Sequence, residues 1–230
     1  MVNNQAAEKI APYVFLGMTV VTGLVDAVSF LSLGRVFTAN MTGNVVLLGF
    51  ATARVPGLSV TLSLTALVSF MSGAVLGGRI MARADGDSRF RFAAQAFLLE
   101  VVVLTAASLC AMGYEGGVIE PSVQRLVLIA LTALAMGTRN AAVRKLAIPD
   151  LTTTVLTLTL TGIAADSSLA NGNNLRLARR IGSVLAMFAG AAVGAVVIRH
   201  SVAVALGLAA AISAVCNAAL YRSLRTSDAA

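Results

Sequence analysis

Apolar residues gather along this chain in eight runs, near 12–33, 38–54, 58–80, 92–113, 124–146, 151–166, 181–198 and 202–221, separated by short polar or charged stretches. Crossing the hydrocarbon core of a bilayer takes roughly 20 predominantly apolar residues in a helix. The second and sixth runs fall short of that length and are polar where they begin. Between Arg35 and Arg54 the chain opens with Thr38, Asn40, Thr42, Gly43 and Asn44. Such side chains are costly against lipid unless they find partners. The pattern predicts an extended entry into the membrane, then a short helix from about Met41 to Ala53 that returns to its starting face. Irregular backbone at that depth is tolerated where it packs in protein or lines a cavity. An extended stretch over 34–39 reaches about 20 Å, and the helix returns over about 20 Å. In the sixth run Pro149 and Asp150 precede Thr152, Thr153 and Thr154, which open a similar short helix to Ala165.

The order of features occurs twice. Gly23-x-x-Asp26 returns as Gly137-x-x-Asn140, and Thr38 as Thr152, each 114 residues on. Gly49 is matched by Gly162, and Gly73-Ala74-x-x-Gly77 by Gly190-Ala191-x-x-Gly194, at offsets of 113 and 117. The expected fold is an all-α membrane protein forming a single domain over 1–230. It holds two inverted repeats, 11–113 and 122–222, each with three crossing helices and one re-entrant half-helix.

Charge bears on the topology. If both short runs re-enter, one face holds Lys9, Arg79, Arg83, Arg89, Arg91, Arg144, Lys145, Arg176, Arg179, Arg180, Arg222 and Arg225. The other holds Arg35, Arg54, Arg125 and Arg199, a split of 12 against 4. If all eight runs cross, the same residues divide 8 against 8. The positive-inside rule prefers the first arrangement and puts both termini in the cytoplasm. A rival in which only the second run crosses, with the N-terminus outside, ties on charge, and the repeat decides against it.

Composition narrows the class. Hydrophobic residues make up 58% and charged residues 12%, against roughly 45–50% and 25% in soluble domains, and the mean hydropathy is +0.88. The net charge of +7 is scattered singly between apolar runs, which suits topology control and offers no face to nucleic acid. Cys110 and Cys216 lie inside apolar runs and His200 stands alone, so neither a disulfide nor a metal site is expected. No nucleophile–base pair, phosphate loop or haem site stands out. The expectation is no enzyme and no cofactor.

The run GLVDAVSFLSLGRVFTANMTGNVVLLGFA, residues 23–51 with FTANMTGN at its core, resembles the YoaK-like family of small bacterial membrane proteins. That resemblance implies a multi-pass protein of the bacterial plasma (inner) membrane and supplies no catalytic residues.

Candidate site residues follow from depth and polarity. Asp26 in the first run and Arg139 in the fifth occupy nearly matching positions in the two halves, where a lone charge costs roughly 2.5–3.5 kcal/mol. The expected arrangement is a pair, serving either as a lock or in binding and coupling. Glu100 is a second coupling candidate, with pairing to a loop arginine as the alternative. Thr38, Asn40, Thr42 and Asn44, with Thr152, Thr153, Thr154, Arg139 and Asn140, would surround two half-helix N-termini, whose field favours negative charge. The expected partners are the lipid bilayer and a small polar or anionic solute. A channel with a continuous pore and a non-transporting scaffold or sensor remain open beside a transporter. Gly73/Gly77 and Gly190/Gly194 have the small-xxx-small spacing of close helix contact, within one chain or in a homodimer.

Overall fold

A computed structural model of the chain describes residues 5–85, 88–114, 121–147, 156–174 and 176–228. Their regular structure is helical: α1 Gln5–Ser32, α2 Met41–Thr52, α3 Val60–Met81, α4 Arg89–Cys110, α5 Val123–Leu146, α6 Leu156–Ala165, α7 Leu177–Val197 and α8 Val202–Asp228, with a 3-10 turn at Ser168–Ala170. Six of these helices are long and apolar enough to cross a membrane, and α2 and α6 are the short apolar ones. The expected threonine start of the sixth helix lies outside the described residues.

Local chemistry sets several boundaries. Ser59 and Ser122 cap α3 and α5, each accepting from a backbone N–H three residues on (Leu62 at 3.4 Å and Arg125 at 3.2 Å). At the far end of α5, Ala147 stops the helix in a left-handed conformation, φ 51°. One boundary differs from expectation, since α1 begins at Gln5, seven residues before Pro12. Ala7 and Ala11 are buried with Phe90 and Leu224, so tertiary packing carries the helix back through turns that hydropathy alone leaves out.

The long helices gather their termini at two ends. At one end Tyr114 donates to the Ser32 carbonyl at 3.0 Å and receives the Arg125 Nε–H at 2.8 Å. Leu33, Val36, Leu62 and Val202 share the apolar cluster there. The C-termini of α1 and α4 thus meet the N-termini of α3, α5 and α8. At the other end Ala7, Met81, Phe90, Leu146 and Leu224 share a second cluster. That end brings together the N-termini of α1 and α4 with the C-termini of α3, α5 and α8.

Glycine contacts fix the closest helix pairs. A Cβ at Gly73 would stand 2.1 Å from the Leu134 carbonyl oxygen, one at Gly77 2.3 Å from that of Thr138, and one at Gly137 2.1 Å from that of Phe70. On the other side of the bundle, a Cβ at Gly190 would stand 2.0 Å from the Val20 carbonyl oxygen and one at Gly23 2.2 Å from that of Met187. One turn on, Gly73 with Leu134 is followed by Gly77 with Thr138, and Gly190 with Val20 by Gly194 with Leu24 at 3.0 Å, so α3 runs parallel to α5, and α7 parallel to α1. Between these two pairs, α8 packs on α1 and α4, and α4 on α5. All four glycines of the small-xxx-small motifs are used inside the chain. The short helices flank the bundle, α2 against α3 and α6 against α7. Arg180 fastens the latter by donating to the Gly162 carbonyl at 2.6 Å and to Asp166 at 2.7 Å.

Candidate functional site

The polar entry to α2 is a built structure. Asp26 Oδ1, on α1, accepts the N–H groups of Thr38 at 3.1 Å and Ala39 at 2.9 Å, holding the extended stretch before the helix. Asn44 clips the same stretch from the other side: its Oδ1 accepts the Phe37 N–H at 2.8 Å and its Nδ2 donates to the Phe37 carbonyl. Phe37 stacks on Phe30 with centroids 5.0 Å apart, and Asn40 caps the helix by accepting the Gly43 N–H at 3.4 Å. The four residues singled out here therefore divide. Thr38 and Asn44 are fully buried, while Asn40 and Thr42 are exposed.

Asn40 and Thr42 line two cavities at once. One, of about 750 Å³, is lined by Phe70, Ala74, Asn140, Ala141, Arg144 and Lys145 together with Ala39, Asn40 and Thr42. It extends to the bundle end where α3 and α5 finish. The other, of about 630 Å³, is lined by Met187, Ala191, Asp26, Ala27, Phe30 and Leu31 together with Phe37, Asn40 and Thr42. It extends to the opposite end, where α1 finishes. Met187 and Ala191 lie 117 residues beyond Phe70 and Ala74, and Asn140 and Ala141 lie 114 beyond Asp26 and Ala27. Some lining residues of one cavity are thus offset from those of the other by the same 114 and 117 residues as the sequence matches.

Their electrostatics do not match. Asp26 brings a carboxylate to one cavity, where it faces the backbone N–H groups leading into α2. The corresponding residue of the other cavity is the neutral Asn140, whose Nδ2 donates to the Met136 carbonyl at 3.1 Å, with Arg144 and Lys145 close by. One cavity therefore carries the acid and the other the bases.

Arg139 does not pair with Asp26. Its guanidinium is fully buried and contacts Glu100 Oε1 at 3.1 Å, the Met18 carbonyl at 3.0 Å, Thr22 Oγ1 at 2.5 Å and Met136 Sδ at 3.0 Å. Ser213 Oγ donates to the same Glu100 oxygen at 2.9 Å. Geometry explains the difference: in an antiparallel comparison, matching positions coincide only at mid-depth. Asp26 lies six residues from the end of α1 and Arg139 seven from the end of α5, about 10 Å each from opposite ends. The expected loop-arginine partner for Glu100 gives way to Arg139 for the same reason, since Glu100 is central in α4 and fully buried. Thr22 and Ser213 were not singled out from sequence. Only their position, facing a buried charge, distinguishes them from other helix threonines and serines. Thr152, Thr153 and Thr154 lie outside the described residues.

Comparison with known proteins places the chain. A family model described as protein of unknown function (DUF1275) matches residues 14–219. The UPF0700 transmembrane protein YoaK of Bacillus subtilis (strain 168) is 37% identical over 146 residues. That alignment takes in 64% of this chain and 62% of the relative, so it spans less than two thirds of the relative's own length. No solved structure matches. With the family match running through all six membrane-capable helices, the chain belongs to the DUF1275 family of YoaK-like, multi-spanning membrane proteins.

Proposed function

We propose that this protein passes a small polar or anionic solute across the membrane, through the two cavities that Asn40 and Thr42 line together. One observation carries the reading: cavities that extend to opposite ends of the bundle share Asn40 and Thr42 at the start of a short helix. Transporters built from inverted repeats place their sites at broken helices near mid-membrane. The helix pairing supports such a repeat here. The pair α1 with α7 answers to α5 with α3, α1 with α8 to α5 with α4, and α2 with α3 to α6 with α7.

In this reading α2 and α6 are re-entrant half-helices. The end of α1 and the start of α3 lie together, as the approach of Gly34 to Leu62 supports, so the chain between them has no net crossing to make. The basic termini of 79–91, Arg144, Lys145, Arg222 and Arg225 collect at the opposite end, which supports a cytoplasmic location for it and for both chain termini. The membrane is the bacterial inner membrane. The chemistry is passage without bond making, so the protein is not an enzyme and takes no cofactor. Asp26 offsets the positive field before α2, so the anion-favouring part of the path is the side of Asn140, Arg144 and Lys145.

Solute uptake into liposomes holding the purified protein, screened across small organic and inorganic anions and neutral polar solutes, tests this. At least one solute should enter, and Asn40→Leu and Thr42→Leu should each cut its uptake tenfold or more while the protein still folds. Correctly inserted protein that moves no solute in the screen favours the scaffold reading. Uptake untouched by both substitutions places the path elsewhere.

A further inference from the structure

A third cavity, of about 750 Å³, lies between α4 and α8 and shares no lining residue with the two around α2. We propose that it holds an anionic phospholipid, with the phosphate between Arg91 and Arg225 and an acyl chain against Leu98 and Val101.

Toward the basic end of the bundle α4 and α8 border the groove, with the small side chains of Ala94, Ala214 and Ala218 in its lining. At the other end they are fastened: Ser108 Oγ donates to the Ala203 carbonyl at 2.8 Å, and a Cβ on Gly207 would stand 3.1 Å from that hydroxyl. Midway, Ser213 and Glu100 tie them again at 2.9 Å. From that level toward the basic end the chemistry of the groove changes with depth. Arg91 stands near its mouth, Gln95 about 6 Å deeper, Leu98 about 10 Å and Val101 about 15 Å along the same helix. Charged, polar and apolar levels follow one another in the order of a phospholipid's phosphate, ester and chain. Across the groove, the Arg225 guanidinium rests over the Tyr221 ring at 5.1 Å, a contact that directs it.

Basic pockets between membrane helices on the cytoplasmic side suit anionic headgroups. A soluble phosphate shares the headgroup chemistry but makes no use of the apolar levels at Leu98, Val101 and Ala214. A lipid here bridges α4 and α8, one helix from each half of the chain.

The test is thermal unfolding of the whole protein in a neutral detergent, titrated with phosphatidylglycerol, phosphatidylcholine or glycerol phosphate, with native mass spectrometry of the retained lipid. Phosphatidylglycerol should raise the unfolding temperature and remain bound in the spectrometer in preference to phosphatidylcholine. The pair Arg91→Gln with Arg225→Gln should shift its half-maximal concentration tenfold or more, and the control pair Arg79→Gln with Arg83→Gln should not. Equal effects of the two lipids, an equal loss in the control pair, or full stabilisation by glycerol phosphate would overturn the proposal. Should the double variant not fold, Leu98→Trp, which fills the chain's place and leaves the arginines, must still lose the retained phosphatidylglycerol.

Discussion

Replacing Glu100 by Gln, or Arg139 by Gln, should each destabilise the folded protein by about 3–5 kcal/mol, because each leaves one buried charge without its partner. Both side chains are fully inaccessible. The remaining carboxylate of the Arg139→Gln variant would keep only the Ser213 hydroxyl that the structure gives it. The remaining guanidinium of Glu100→Gln would keep the Met18 carbonyl and Thr22, neutral acceptors that leave its charge uncompensated. The double variant Glu100→Gln/Arg139→Gln removes both charges and should recover most of the loss. Arg139→Lys should not rescue, since one ammonium cannot reach the acceptors that the planar guanidinium meets on α1 and α4 together. Unfolding in mixed detergent micelles, read as a double-mutant cycle, checks this. Additive losses without recovery would mean that the pair does not act as a unit.

Glycine substitutions should separate packed from open positions just as sharply. Gly73→Ala, Gly137→Ala, Gly23→Ala and Gly190→Ala each put a methyl carbon within about 2.2 Å of a neighbouring carbonyl oxygen. The obstacle is backbone, so a whole helix must move, at a cost of about 1–3 kcal/mol or more at each site. Gly49→Ala and Gly78→Ala meet nothing within 4 Å and should stabilise their helices by up to about 1 kcal/mol. Thermal unfolding of the six variants distinguishes these groups. Similar losses at all six positions would contradict the parallel pairing of α1 with α7 and of α3 with α5.

Much of this architecture was legible in the residues. The α2 span agrees with the expected one to within a residue at its C-terminal end, because Asn40 is a strong cap and Arg35 and Arg54 limit what lies between. The glycine matches 114 and 117 apart turned out to be the contact points of two helix pairs, since only glycine admits such close approach. The partner of Arg139 was not legible. It depends on the true start of α1, which buried contacts of Ala7 and Ala11 carry back past Pro12, and on the packing that buries Glu100 of α4 against α5. Composition likewise does not reveal which polar residues at α2 are structural. Thr38 and Asn44 look like Asn40 and Thr42 in the sequence, and only the turn of the chain between Phe37 and Met41 buries the first two and exposes the others. The groove between α4 and α8 is lined by residues of two helices far apart in the chain, Arg91–Val101 and Ala214–Arg225, a pairing that the periodicity of neither helix marks.

The most direct test of the central reading is the accessibility of single cysteines at Asn40 and Thr42, in protein whose Cys110 and Cys216 are replaced by Ala, to a membrane-impermeant thiol reagent applied from either face. Cysteines at Arg54 and Ser167, just past α2 and α6, serve as references for the outer and inner faces. The account predicts that Asn40→Cys and Thr42→Cys react from both faces, while Arg54→Cys reacts only from outside and Ser167→Cys only from inside. Labelling of the two central positions from neither face, or of Arg54→Cys and Ser167→Cys from the same face, would contradict it.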